Sequence, residues 1–436
     1  MNKKYISITI ILIIILSILS ELHTSRTNQQ LQNDRYEAEE KLKNCYDDLV
    51  FLYTEIESIP SYKILDKEDK LSFKKSFDNI LNDVDSNLVS TYECFYNMNK
   101  VLEPLNDNHS EIYGNAISYD IKRIKEPFYL DSISSLKEFN VFPKTHIDLD
   151  SLQEKLRLQP IQSVQGIYSI KDVIEIIIYK DEIERDYKGI VTRSKIPLWK
   201  RGEQILKLVE KDGYFQILTG GFNDKKLLFY RDKISNGRFL FTKWSKTKNY
   251  DIHYDIKKNS QKYEFSDLNS ETQYLRLSSF SCSNDILTKS SDFSYSIKNK
   301  VNKDHLIVDL RNNSGGCEKN SKKYLKLLKR YSKNHKGKIF VLVNFLTRSN
   351  SEQFLLKLRK INGVVVLGDD TNGSLSFGWN TSNSKTSPSK RFNIHLADMD
   401  FSQNLKYQNV GIKPEHYLNV NSDWIKQTLS IINDYK

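Results

Sequence analysis

His305-Leu-Ile-Val-Asp-Leu310 runs directly into Arg311-Asn-Asn-Ser-Gly-Gly316. The first half is apolar at every position between His305 and Leu310 except Asp309. It lacks the alternation of a half-exposed strand, so it reads as a strand buried on both faces. Two more runs of this kind follow, Lys338-Ile-Phe-Val-Leu-Val-Asn344 and Gly363-Val-Val-Val-Leu-Gly368. Between them lie stretches with helical spacing, Lys322–Tyr331 and Ser351–Ile361. Upstream, Thr272–Phe280 reads as a strand and Ser294–Val301 as a helix. Strand alternating with helix predicts an α/β layer with parallel strands, here over residues 270–436.

The texture changes on the N-terminal side of this layer. Between residues 160 and 262, short β-rich runs such as Asp172–Asp181, Tyr187–Arg193, Gln204–Gly213, Tyr214–Gly221, Lys226–Asp232 and Arg238–Trp244 follow at intervals of about ten. That rhythm predicts an antiparallel all-β domain. Further back, Leu42, Cys45, Leu49 and Leu52 recur at helical spacing, and a second such stretch runs from Lys70 to Leu88 beyond Pro60. A helical bundle is expected over 28–115, leaving through the polar loop Leu102–Gly114. The fold class is therefore multi-domain α+β, with an α/β domain at the C-terminal end.

Lys3 and Lys4 precede an apolar run from about Tyr5 to Leu19. Basic residues before an apolar run of that length match an export signal, and the run is short for a membrane span. Residues 1–20 are expected to be a signal peptide, or an uncleaved N-terminal anchor, with the body periplasmic or extracellular. An oxidising compartment would let Cys45, Cys94, Cys282 and Cys317 form disulfides, in any of three pairings. A Cys45–Cys94 bridge would link two N-terminal helices. No CxxC occurs, so a zinc site is not expected.

The 436 residues carry 66 Lys+Arg against 55 Asp+Glu, a net charge of +11. The lysines are spread along the chain among acids, so nucleic acid is not expected as a partner and the excess reads as solvated surface. With 39% hydrophobic and 28% charged residues, the chain is neither disordered nor a multi-span membrane protein. No metal or organic cofactor is implied.

Chemistry in open α/β sheets gathers where strands end. The paired Gly315 and Gly316 can turn the backbone sharply and present N–H groups to an oxyanion, or simply make a tight turn. Ser349 stands at the junction of the strand 338–344 and the next helix, where an attacking hydroxyl is commonly held. Ser349 with Glu352 also reads as a capping box, which needs no catalysis. Of eight histidines, His109 differs by lying in the polar loop Leu105-Asn-Asp-Asn-His-Ser110.

Leu105–Ser110, Leu306–Gly316, Phe345–Glu352 and Asn409–Glu415 occur in an order that resembles the tail-specific (C-terminal processing) serine peptidases. The resemblance is nearest to the branch holding the tricorn core and the interphotoreceptor retinoid-binding repeats. It covers about Gln273–Asn419 and the His109 loop, and implies a crotonase-like α/β peptidase core. It also implies Ser349 as nucleophile, His109 as base, and an oxyanion hole from the N–H of Asn350 and of Gly315 or Gly316. A lysine base used elsewhere in the family is replaced here by Ser374. An orienting acid of the histidine branch is replaced by Gln408, a neutral amide; Asn108 is a further candidate to orient the base. The expectation is an exported serine endopeptidase or C-terminal processing peptidase acting on proteins or peptides, touching a membrane only through an N-terminal anchor. The alternative is a peptidase-fold module, weakly active or inactive, that binds an apolar ligand or a partner protein.

Overall fold

The structure is a computed structural model, and describes residues 45–86, 89–247, 253–256, 260–334, 337–380 and 384–434. The expected export segment lies outside these residues. Among the described residues, no helix is long and apolar enough to cross a membrane.

The described residues begin with helices α1 (45–56), α2 (Pro60–Lys63), α3 (Lys67–Ser86) and α4 (Thr91–Leu102). The α4 start is fixed by Ser90 and Glu93, each side chain accepting the other's backbone N–H. A disulfide, Cys45–Cys94, joins α1 to α4. After α4, Asn106 takes a left-handed conformation at φ 50° and turns the chain into the His109 loop. Strand β1 (Glu111–Gly114) follows, then α5 (Pro127–Ser134) and α6 (Leu149–Arg157).

Strands β2 (Gly166–Ile170), β3 (Ile174–Lys180), β4 (Tyr187–Ser194), β5 (Gln204–Lys211), β6 (Tyr214–Gly220) and β7 (Leu227–Asp232) form a six-stranded antiparallel meander in sequence order. The run Arg238–Trp244, expected as another full strand, gives only β9 (Arg238–Phe239), paired with β8 (Ile234–Ser235). The buried Asp232 carboxylate accepts the N–H groups of Phe241 and Thr242 at 2.7 Å each, which bends the backbone away from a ladder. Bundle and meander share one hydrophobic core, from Leu49 and Phe95 through Ile176 and Leu206 to Ile394.

The α/β layer comprises β10 (Tyr263–Asp267), β11 (Thr272–Leu277), α7 (Asn284–Ile297), β12 (His305–Asp309), α8 (Glu318–Asn334), β13 (Ile339–Val343), α9 (Asn350–Leu358) and β14 (Val364–Gly368). Helix α7 starts ten residues before the expected Ser294, because Ile286 and Ser290 already face the core along with Ile297. Short strands β15 (Phe377–Gly378), β16 (Ser384–Thr386), β17 (Phe392–His395), β18 (Met399–Asp400) and β19 (His416–Tyr417) lead to α10 (Trp424–Asp434). The main sheet runs β10-β11-β12-β13-β14-β19, parallel throughout except for β10. Its two faces are buried by separate cores, one under α7, α8 and α9 and the other under α10. A second disulfide, Cys282–Cys317, ties the β11–α7 loop to the glycine loop after β12.

One pairing positions the site. Strand β1, just past His109, lies antiparallel to β17, with Glu111 opposite His395 and Gly114 opposite Phe392. The bundle's exit loop is thereby held at the carboxyl ends of the parallel strands.

Candidate active site

Strand β13 ends at Val343, and the loop after it is bolted to its neighbours. Asn344 donates to Asn312 Oδ1 at 2.7 Å and to the Tyr254 carbonyl at 3.0 Å; the Thr347 hydroxyl donates to the Leu310 carbonyl at 2.9 Å. Ser349 then takes φ 59° and ψ −128°, a conformation that costs a non-glycine residue about 1–3 kcal/mol. The surrounding bonds hold it there. Its N–H donates to Glu352 Oε2 at 3.0 Å, the return arm of the capping box. The strand-to-helix elbow lifts its hydroxyl off the sheet.

His109 reaches that hydroxyl. Its Nε2 lies 2.9 Å from Ser349 Oγ, across 240 residues of sequence. The loop beneath it is shaped by Asp107, whose Oδ1 accepts the His109 N–H at 2.9 Å and the Ser110 N–H at 3.2 Å. Asp107 Oδ2 accepts the hydroxyls of Ser110 and Ser61 at 2.8 and 3.1 Å, anchoring the loop to α2. Asn108 donates to the Gly373 carbonyl at 3.0 Å and to Asn409 Oδ1 at 2.7 Å. It clamps the loop to the α/β domain, and no hydrogen bond joins it to the imidazole ring.

The ring is buried, and burial pushes its pKa down to about 3, with Arg348 and His395 adding to the fall. His109 is therefore neutral at ordinary pH, the form in which Nε2 can accept a proton. Its edge meets Trp379 at 5.6 Å and 88°, and Trp379 stacks on His395 at 4.1 Å. Nδ1 has no hydrogen-bond partner among the described residues. Gln408 is buried nearby in sequence space of the Asn409 clamp, yet its Oε1 accepts the Ser376 N–H at 3.3 Å and no hydrogen bond joins it to His109.

The expected oxyanion donors meet at the same elbow. Gly315 and Gly316 have φ of +93° and +134°. A Cβ on Gly315 would lie 2.8 Å from the Arg348 carbonyl oxygen and 2.9 Å from the Asn350 nitrogen, so only glycine lets the two loops approach this closely. The Gly315 N–H donates to Asn313 Oδ1 at 2.9 Å. Of the two glycines, Gly316 therefore has the N–H not drawn into that turn. The Asn313 carbonyl accepts the Arg348 N–H at 3.0 Å and the Ser351 hydroxyl at 2.6 Å, stitching the glycine loop to the serine elbow.

Sequence reading missed how much rests on Glu352. This fully buried carboxylate accepts the Ser349 N–H, the Thr371 hydroxyl at 2.6 Å, and the N–H groups of Gly373 at 2.7 Å and Ser374 at 2.8 Å. Burial raises its pKa, and the four hydrogen bonds oppose that rise. Ser374, at the position of the family's lysine, is thus part of the cradle around Glu352. Asp107 was also missed; its signal was an Asp two residues before the histidine, the spacing of an Asx turn. Among the described residues, no group of three or more His, Cys, Asp or Glu side chains is arranged to hold a metal ion.

Residues 271–418 match the sequence profile of peptidase family S41. That segment, less than half of the chain, is similar to the family. The matched segment holds Ser349, Asn350, Gly315, Gly316 and Gln408, while His109 comes from outside it, through the β1–β17 pairing. No curated protein matches the chain. Among solved structures, mature CPAF is similar at 11% identity and a TM-score of 0.42, over 90% of this chain and 98% of that one. The tricorn protease is similar at 12% and 0.41, over 89% of this chain and 37% of that one. The photosystem II D1 C-terminal processing protease is similar at 11% and 0.35, over 89% and 97%.

Proposed function

We propose that this chain is an S41-type serine peptidase, an exported endopeptidase or C-terminal processing enzyme in which Ser349 and His109 form the catalytic dyad. The observation that carries the reading is the 2.9 Å contact between His109 Nε2 and Ser349 Oγ. Ser349 Oγ attacks the scissile carbonyl while Nε2 takes its proton, and His109 then gives that proton to the leaving amine. Water, activated by the same nitrogen, hydrolyses the acyl-enzyme. The tetrahedral oxyanion is held by the N–H groups of Asn350 and Gly316, with Gly315 giving the close approach. Gln408 acts one step removed, by holding the backbone at Ser376. Two disulfides favour the export reading, because such bonds persist in oxidising compartments.

The test is hydrolysis of an unstructured protein substrate by the wild type and by Ser349→Ala. Cleavage by the wild type alone supports the reading; equal cleavage, or none by either, overturns it. One observation favours the second reading, a binding module without hydrolysis: no carboxylate partners His109 Nδ1. That reading predicts tight peptide or ligand binding with no product from either protein.

A further inference from the structure

Helix α8 carries seven basic residues against one acid, Glu318, and Glu318 already pairs with Lys357 at 2.6 Å. Its apolar stripe, Tyr324, Leu327, Leu328 and Tyr331, is buried on the sheet. The opposite side is left cationic. Lys323, Lys326, Lys329, Arg330 and Lys333 line one wall of a groove of about 980 Å³ between α7 and α8. Lys298 and Lys360 also line it, and no Asp or Glu does. Facing these cations is an α7 stripe of hydroxyls, Ser291, Ser294 and Tyr295. The acids of α7 do not line the groove, and Asp285 is taken by Lys289.

The charge is not explained by the helices alone. Cations at helix C-termini are favoured by the dipole, which suits Lys298 and Lys333. Lys323 and Lys326 sit mid-helix, where that attraction is absent. Lys323 donates to the hydroxyls of Ser290 and Ser291 at 3.3 and 3.0 Å, and burial with nearby Lys319 lowers its pKa. Seven like charges converge there with no ion pair among the described residues, a field that favours an anionic partner. Tyr295 stands at the rim, 82% exposed.

The groove lies where α7, α8 and α9 end. Lys360 is eleven residues beyond Ser349, so the groove and the dyad are separated by roughly 16 Å along α9. We propose that this face docks on an anionic phospholipid surface, its ammonium groups meeting headgroup phosphates and Tyr295 entering the interfacial layer. A bilayer fits better than a nucleic-acid strand, which stacks successive bases on several aromatic side chains; here only Tyr295 is presented. Docked this way, the protein turns its active-site end away from the membrane.

The experiment is co-sedimentation of the full chain with vesicles of phosphatidylcholine, alone or mixed with phosphatidylglycerol. The variants are Lys326→Glu/Lys329→Glu/Lys333→Glu/Lys360→Glu and a control of equal charge, Lys67→Glu/Lys122→Glu/Lys155→Glu/Lys413→Glu. The expected result is preference of the wild type and the control for anionic vesicles, reduced by raised salt. The groove variant loses at least about 100-fold in partitioning, at roughly fivefold for each lysine near the surface. A milder variant, Lys326→Gln/Lys329→Gln, shows a smaller loss and guards against misfolding. Equal capture by neutral vesicles, equal loss in groove and control variants, or tighter binding to a single-stranded oligonucleotide than to anionic vesicles would each overturn the proposal. Hydrolysis plays no part in the readout, so this outcome is independent of the peptidase reading.

Discussion

Glu352 holds Ser349 by its backbone while leaving the hydroxyl to His109. The Ser349 N–H donates to Glu352 Oε2 at 3.0 Å, and three further donors from Thr371, Gly373 and Ser374 complete the carboxylate's shell. One buried side chain thus joins the serine elbow to the loop that Asn108 clamps.

Removing that carboxylate leaves four donors unanswered. Glu352→Ala is expected to destabilise the fold by about 3–5 kcal/mol, the cost of breaking a buried charged network. Glu352→Gln keeps the volume but sets an NH2 group against N–H donors, and is expected to cost about 2 kcal/mol. Thermal and denaturant unfolding check both. Wild-type stability in Glu352→Gln would mean that the cradle is not strained by losing the charge.

In the proposed mechanism His109 sets the pH response. Its pKa is lowered to about 3 in the fold, so the base stays neutral until the pH approaches that value. The acidic limb of kcat/KM is expected far below the usual histidine range near 6.5. Stability has its own window. Between pH 6.5 and about 3 the unfolded chain protonates this histidine and the folded chain does not, so stability falls as the pH drops through that interval. His109→Gln removes this pH dependence and lowers kcat by at least about ten-thousand-fold. pH–rate profiles and pH-dependent unfolding of both proteins are the measurements. An acidic limb at pH 6–7 would show a solvent-exposed base.

Gly315 is a steric requirement. A methyl group there meets the Arg348 carbonyl and the Asn350 N–H and forces the two loops apart. Gly315→Ala is expected to lower kcat by about 100- to 1000-fold, the range for losing an oxyanion donor, with labelling of Ser349 slowed in proportion. Steady-state kinetics on a peptide substrate checks this. An unchanged kcat would remove the glycine loop from the oxyanion hole.

The Cys45–Cys94 disulfide closes a loop of 49 residues around α2 and α3. Cys45→Ser/Cys94→Ser is expected to cost about 2–4 kcal/mol in stability. Because β1 and Asp107 anchor the histidine loop independently of it, kcat of the folded fraction is expected to stay near wild type. Unfolding curves with and without reductant, paired with activity, separate the two effects.

The parallel layer was legible because β12, β13 and β14 are buried on both faces and carry little but β-branched and aliphatic residues. The elbow was legible too, since buried strand, polar loop and helix start are local features. What stayed hidden is long-range. Nothing in Glu111–Gly114 signals that it pairs with Phe392–His395, and that pairing is what delivers His109. Asp232 likewise undoes a strand-like run by bonding N–H groups nine and ten residues away. The groove cations were visible only as scattered lysines, because the packing of α7 on α8 is what collects them. Gln408 was placed by its motif, but its amide turns to Ser376, a choice of rotamer and partner that a motif does not encode.

The dyad is tested most directly by labelling with a fluorophosphonate that reacts only with an activated serine, followed by mass spectrometry of the modified peptide. The 2.9 Å contact predicts one adduct, on Ser349, in the wild type. It predicts none in Ser349→Ala and a strongly slowed reaction in His109→Ala. Equal labelling of all three, or an adduct on any other serine, would contradict the assignment of Ser349 and His109 as the reacting pair.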